Sequence, residues 1–336
     1  MIELKQDALL LSFPEVHQKA RLGIEFQRTL RIPDDDRDYP LPPGLGRFPL
    51  RHVDDFGRKV PELWLQHGGV MLPMYQSEAL WLNFESSRGG YPFAIKIAAG
   101  KTNAITGESW KENLNRRPQD YVVAPEQPWL DGYCVERGVI RQFVAMPLGS
   151  GYSAEEQITG EAEHGGLQIL VYPMKAEAFE RYFRRRERAL GDACRYAPES
   201  VQGAALDMGL APGGRMRQEI YDDPYKPADW DLEHGSRCFV HIANSLVWRG
   251  ITGQPPPTVP ATAREYTDAG LPWFEYYGDD AEVVGGSKVL AQLKSVLKLG
   301  EAKKDTPLPE NDSVEPGKII ALRKGLAKNQ VREGCF

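Results

Sequence analysis

From Leu22 to Tyr172, apolar and polar residues alternate in short runs, and no helix-length segment separates one run from the next. A parallel, doubly wound sheet needs a crossover of a dozen or more residues, most often a helix, between neighbouring strands. Strands that arrive one after another point to antiparallel hairpins instead. The expected strands are Leu22–Ile32, Gly69–Tyr75, Glu78–Phe84, Phe93–Ala98, Asn103–Thr106, Tyr121–Ala124, Val139–Pro147 and Gly166–Tyr172. Ala99 to Thr102 reads as a hairpin turn. The fold expected is α+β and β-rich, with mainly antiparallel sheets over residues 1–175.

The chain carries 26 Pro and 33 Gly, which cut it into short pieces. Residues 33–49 hold Pro33, Pro40, Pro42, Pro43 and Pro49, so neither a long helix nor a central strand fits there. Tyr39, Leu41, Leu45 and Phe48 give that stretch apolar anchors and predict an ordered loop. Helices and long ordered Pro/Gly-rich loops are expected in the second half. Ser153 with Glu156 and Thr262 with Glu265 have capping-box spacing. Ala176–Leu190 carries an apolar stripe of Phe179, Tyr182, Phe183 and Leu190. Phe239–Ile251 suits a buried helix, although its first residues equally suit a strand, and Ser287–Leu297 reads as a short amphipathic helix. The Lys303–Ser313 stretch reads as a linker, and Lys318–Leu322 as a segment able to dock. The organisation expected is one large α+β domain over 1–299, divisible near 150–175, then a flexible linker and docking tail over 300–336.

No apolar run reaches the roughly 18–20 residues of a bilayer helix, and 41 basic against 47 acidic residues leave a net charge of -6. These features argue against membrane and nucleic-acid partners. The first residues lack a basic start and a long apolar stretch, so a cytoplasmic location is expected. The four cysteines are scattered and suit free thiols in a reducing compartment.

Several segments have residue types that carry chemistry. Gly149 to Ala154 matches GxGxxA after a strand, but the space for a crossover helix is short, and Glu155 and Glu156 stand where a phosphate would come. A tight structural turn is the plainer reading. Glu161, Glu163 and His164 form a compact acid–base candidate without the i, i+4 spacing of two helix-borne metal ligands. Asp34, Asp36 and Asp38 alternate as in calcium loops but lack the glycine and the bidentate Glu, which favours a solvated or ion-paired loop. Arg181 to Arg188 is a basic run balanced by Glu177, Glu180 and Glu187, and reads as a solvated helix face. Cys134 suits a buried, inert thiol. Aromatic and polar residues gather as Trp129, Asp131 and Tyr133 with Arg141, and as Trp273 and Tyr277. Trp and Tyr beside carboxylates suit recognition of a sugar, a peptide or another small polar molecule. Gly213 to Glu219 is expected to add a polar rim.

The function expected is that of a soluble cytosolic binding or assembly protein recognising a polypeptide or small polar ligand through aromatic-lined loops. A second copy of the chain is an allowed partner; no cofactor and no metal are expected. The alternative is a hydrolase-like or metal-dependent enzyme using the Glu161, Glu163 and His164 cluster.

Overall fold

A computed structural model describes residues 1–86, 90–186, 208–276, 281–305 and 312–322, with backbone alone for 183–186. Among them, short apolar strands build two large sheets in an α+β architecture, and pairing is mostly antiparallel. The first sheet runs Ile2–Lys5, Ala8–Ser12, Arg21–Thr29, Ala79–Ser86, Val139–Pro147, Met208–Arg217 and Asp38–Tyr39. The second runs Thr102–Asn103, Phe93–Ala99, Leu167–Pro173, Ser236–Asn244, Val70–Met74 and Arg51–His52. The Phe93–Ala99 and Thr102–Asn103 hairpin forms across the expected turn.

One apolar cluster takes Ile24, Phe26 and Leu82 from the first sheet and Ile95, Ile97 and Val240 from the second, so the two sheets share a core. Strand use does not stop near residue 175: Met208–Arg217 and Ser236–Asn244 lie inside the two sheets. The alternation of Leu22–Ile32 predicts a half-buried strand, yet in the observed strand Arg21–Thr29 all residues after Arg21 are buried. It is flanked by Ala8–Ser12 and Ala79–Ser86, and its polar residues pair within the sheet. Gln27 Nε2 donates to Glu25 at 2.9 Å, and Arg28 donates to Glu78.

The Phe239–Ile251 region divides at Asn244. Strand pairing on both sides, with Leu167–Val171 and with Val70–Met74, holds the first part extended. The Asn244 side chain then accepts the Leu246 and Val247 N–H groups and starts a helix, Ser245–Thr252. Both expected capping boxes form, on helices Ala154–Thr159 and Ala263–Asp268. The Ser287–Leu297 stretch makes two short helices instead of one, Lys288–Ala291 and Val296–Lys303. Helix Ala176–Arg186 begins as expected, and residues 187–190 of the expected helix lie outside the described residues.

The Pro-rich stretch 33–49 is ordered, with Tyr39, Leu41, Leu45 and Phe48 all buried. The tail segment Ile319–Leu322 pairs in parallel with Trp273–Tyr276; residues 306–311 and 323–336 lie outside the described residues. Among the described residues no helix is long and apolar enough to cross a membrane.

Candidate functional site

Side-chain alternation along Ser236–Asn244 sends Cys238, Val240 and Ile242 into the shared core. Arg237, Phe239 and His241 therefore lie on the outer face of the second sheet. Helix Glu62–His67 packs over that face and brings two rings to it. Trp64 stacks on His241 with centroids 4.8 Å apart, and His67 stacks on Phe239 at 4.6 Å. The Arg237 guanidinium lies 4.7 Å from the Phe239 ring and 5.3 Å from that of Trp110. His241 Nε2 donates to the Gly68 carbonyl at 2.9 Å, which ties the helix end to the strand. Burial lowers the His241 imidazole to about 4, so it is a neutral structural donor at physiological pH.

The facing wall comes from the turns at Gly100 and Gly165-Gly166. A Cβ on Gly166, where φ is +70°, would stand 2.3 Å from the Val240 carbonyl oxygen. A Cβ on Gly100, where φ is +57°, would stand 2.1 Å from Glu155 Oε2. Only glycine meets both the φ and the approach. Glu155 sits in the first turn of Ala154–Thr159, which favours a carboxylate there. The cap itself is completed by Ser153 and Glu156, so Glu155 is left to pack inward, where it is only 3 % exposed.

Glu155 Oε1 lies 3.4 Å from His164 Nδ1, and Glu163 Oε2 lies 3.7 Å from the same nitrogen. Lys101 Nζ reaches Glu163 at 3.3 Å at the rim. Burial pushes the Glu155 carboxyl up to about 7, against the lowering pull of the Lys101 and His164 backbone N–H groups and the Lys101 charge. Burial also lowers the His164 imidazole; the Lys101 and His67 charges add to this, and Glu163 and Glu161 oppose it. Burial thus acts in opposite directions on the two groups, raising the carboxyl and lowering the imidazole. The two walls border a shallow cleft open to solvent, lined in part by Leu63, His67, Glu163, His164, Gln168 and Phe239. Among the described residues no three His, Cys, Asp or Glu side chains come together as a metal-ligand set.

Of the expected acid–base cluster, Glu163 and His164 line this cleft. Glu161 is exposed and acts on His164 through its charge alone. Glu155, His67 and His241 are the members that sequence reasoning missed. The signals for them were modest: a second carboxylate beside the capping Glu156, and a His sharing strand parity with Phe239.

The expected aromatic set does not converge. Trp129 is half-buried and meets Tyr276 edge-on at 5.0 Å. They line a second, shallow groove with Leu41, Gln127, Gln218 and Tyr221, and Glu219 from the expected polar rim joins them. Asp131 lies buried near Trp129, its N–H donating to Gln218 Oε1 at 3.0 Å. Burial raises its carboxyl to about 7, and a hydrogen bond from the Trp129 side chain works against the rise. Tyr133 is a core residue, its hydroxyl donating to the Leu210 carbonyl at 2.8 Å. Arg141 is buried, donates to the Gly213 carbonyl and faces Asp34 at 3.5 Å. Trp273 is fully buried between the rings of Tyr39 and Tyr266. Tyr277 lies outside the described residues.

The other candidates resolve structurally. In the 149–154 turn, Gly151 N–H donates to Glu156 Oε1 at 2.7 Å, so a carboxylate of the chain occupies the helix start. Asp36 pairs with Lys298 at 2.6 Å and Asp38 with Arg215 at 2.8 Å. Arg181 pairs with Asp229 at 2.6 Å. The free thiols of Cys134 and Cys238 are buried, and burial pushes each up to about 12, which leaves them unreactive near neutrality. No family model, curated protein or solved structure matches this chain.

Proposed function

We propose that this protein is a soluble, cytoplasmic binding protein for a small polar ligand, held in the cleft between helix Glu62–His67 and the Gly100 and Gly165 turns. The observation that carries the reading is the convergence of Glu163, His164 and Gln168 with the His67 and Phe239 rings around one solvent-open space. A few placed polar groups on an apolar, aromatic wall are the usual make-up of a small-molecule site.

The test is a fragment library of neutral, cationic and anionic aromatics, followed by NMR at the Trp64 indole and the His67 and His164 rings. Saturable shifts confined to these signals, lost in Phe239→Ala, are expected. Shifts at the Trp129 indole instead would place the ligand in the other groove, and no saturable shift at the cleft would sink the reading.

A second reading, assembly with another copy of the chain, is favoured by one observation. The Ile319–Leu322 strand leaves Ile319, Ile320 and Leu322 exposed, as an interaction edge does. A concentration-dependent dimer in native mass spectrometry, abolished by Ile320→Lys, would support it.

A further inference from the structure

We infer that the cleft is a hydrolytic centre for small neutral esters and similarly activated acyl compounds, in which Glu155 positions His164 as a general base toward water. The inference rests on the cleft being the ligand site and adds a reaction to it.

The geometry comes first. Nδ1 of His164 faces the Glu155 and Glu163 carboxylates at 3.4 and 3.7 Å. The ring's other nitrogen, Nε2, is thereby left for the cleft that His164 lines. A carboxylate behind the imidazole fixes its orientation and stabilises the imidazolium as it forms, the division of labour in base–orienter pairs. The contact is longer than a formed hydrogen bond, and Glu155 Oε2 and His164 Nδ1 have no hydrogen-bond partner. Such pairs commonly tighten only when a ligand is bound. Burying a carboxyl is costly to the fold, and the Ser153–Glu156 capping box does not need this one.

The lining also decides the reaction class. It includes Leu63, Trp64, Gly165, Leu167 and His67, but no Ser, Thr, Cys or Tyr. Among the described residues no hydroxyl or thiol lines the cleft, and with His164 assigned as the base the nucleophile in this proposal is water. Lys101 and Glu163 neutralise each other at the rim, so a neutral substrate meets no opposing net charge.

The chemical step balances with p-nitrophenyl acetate as the probe. His164 Nε2 takes one proton from water as the water oxygen bonds to the acyl carbon. The tetrahedral adduct breaks its bond to the aryl oxygen and expels p-nitrophenolate. The imidazolium passes its proton to solvent, and the second water proton leaves as acetic acid ionises.

Two measurements on the full chain test this. Nitrogen-15 NMR of wild-type protein should show neutral His164 with its proton on Nδ1 and Nε2 bare. Hydrolysis of p-nitrophenyl acetate should fall by about tenfold or more in His164→Ala and in Glu155→Gln, with the midpoint of the rate–pH profile displaced in the latter. A proton on Nε2 in the wild type overturns the inference without any variant. Unchanged His164 titration and unchanged hydrolysis in Glu155→Gln overturn it as well. Fragment binding read at Trp64 separates the two readings. Binding retained without hydrolysis sinks the dyad and leaves the ligand site standing. The dyad signature without any fragment binding sinks the ligand site.

Discussion

Asp34 Oδ2 accepts the backbone N–H of Leu297 at 3.0 Å, so a loop from the start of the chain caps a helix near its end. Helix Val296–Lys303 already has Ser295 as its cap, accepting from Lys298 N–H, and Leu297 would otherwise leave a donor orphaned. Asp34 is buried beside Arg141, whereas Asp36, which meets Lys298 Nζ at 2.6 Å, is more than half exposed. The acidic loop works as a clamp on the C-terminal helix.

Unequal costs follow for the two carboxylates. Asp34→Ala removes the acceptor of the part-buried Leu297 N–H and the buried one of two carboxylates facing Arg141, and should cost about 2 kcal/mol. Asp36→Ala removes a solvent-screened pair and should cost about 0.5 kcal/mol. Urea unfolding of both variants measures the difference, and equal losses would show that the clamp is not centred on Asp34.

Lys96 and Asp120 make a second long-range pair, at 2.6 Å, with Lys96 only 1 % exposed. Lys96 Nζ also donates to the Asn113 carbonyl at 2.6 Å and holds the loop that carries Trp110. Asp120→Ala strands a buried ammonium and should lower stability by about 3–5 kcal/mol. Lys96→Met with Asp120→Leu removes both charges and should cost less than Asp120→Ala alone. A thermal and urea double-mutant cycle tests that order, and a double variant worse than both single ones would refute it.

How much of this was legible depends on the range of the interactions involved. Val139–Pro147 and Leu167–Pro173 formed as read because alternation is a local property. The capping boxes at Ser153 and Thr262 formed because each needs only four consecutive residues. The burial of the polar residues of Arg21–Thr29 depends on groups outside the strand, some far away in sequence: Arg28 lies against the Phe48 ring and donates to the Thr258 carbonyl, and Thr29 donates to that of Pro43. The break within Ser287–Leu297 has the same origin: Lys294 N–H donates to Gln157 Oε1 at 2.9 Å, and Ser295 starts a new helix. The cleft was half legible. Glu163 and His164 are neighbours in sequence, but His67 and Phe239 reach them only through the order of the second sheet. Trp273 shows the converse, since an aromatic in a Pro-rich loop looks the same in sequence whether it lines a groove or fills the core.

Glycine positions give a graded test of the turns. Gly166→Ala meets both a φ of +70° and a carbonyl oxygen 2.3 Å from the new Cβ, so the backbone must move. Gly149→Ala meets a φ of +85° with nothing within 4 Å. The open position should cost about 1 kcal/mol, the conformational penalty alone, and Gly166→Ala should cost at least about twice as much. Gly166→Ala should also perturb the His164 ring signals, whereas Gly149→Ala should leave them in place.

The last expectation concerns pH. Burial raises the Asp131 carboxyl from its ordinary 3.8 to about 7 in the folded protein. The fold therefore binds this proton more tightly than the unfolded chain does. Its contribution to stability is fully present below about pH 4, and is lost as pH rises through about 7. Between those values the loss is roughly 1.4 kcal/mol per pH unit from this one group. Asp131→Asn keeps the shape and cannot ionise, so it should flatten that part of the stability–pH profile and be more stable than wild type at pH 8. Chemical denaturation at several pH values between 4 and 8 measures both. A wild-type profile that falls no more steeply than that of Asp131→Asn would show that Asp131 stays ionised, and that the polar groups around Trp129 and Gln218 solvate it despite its burial.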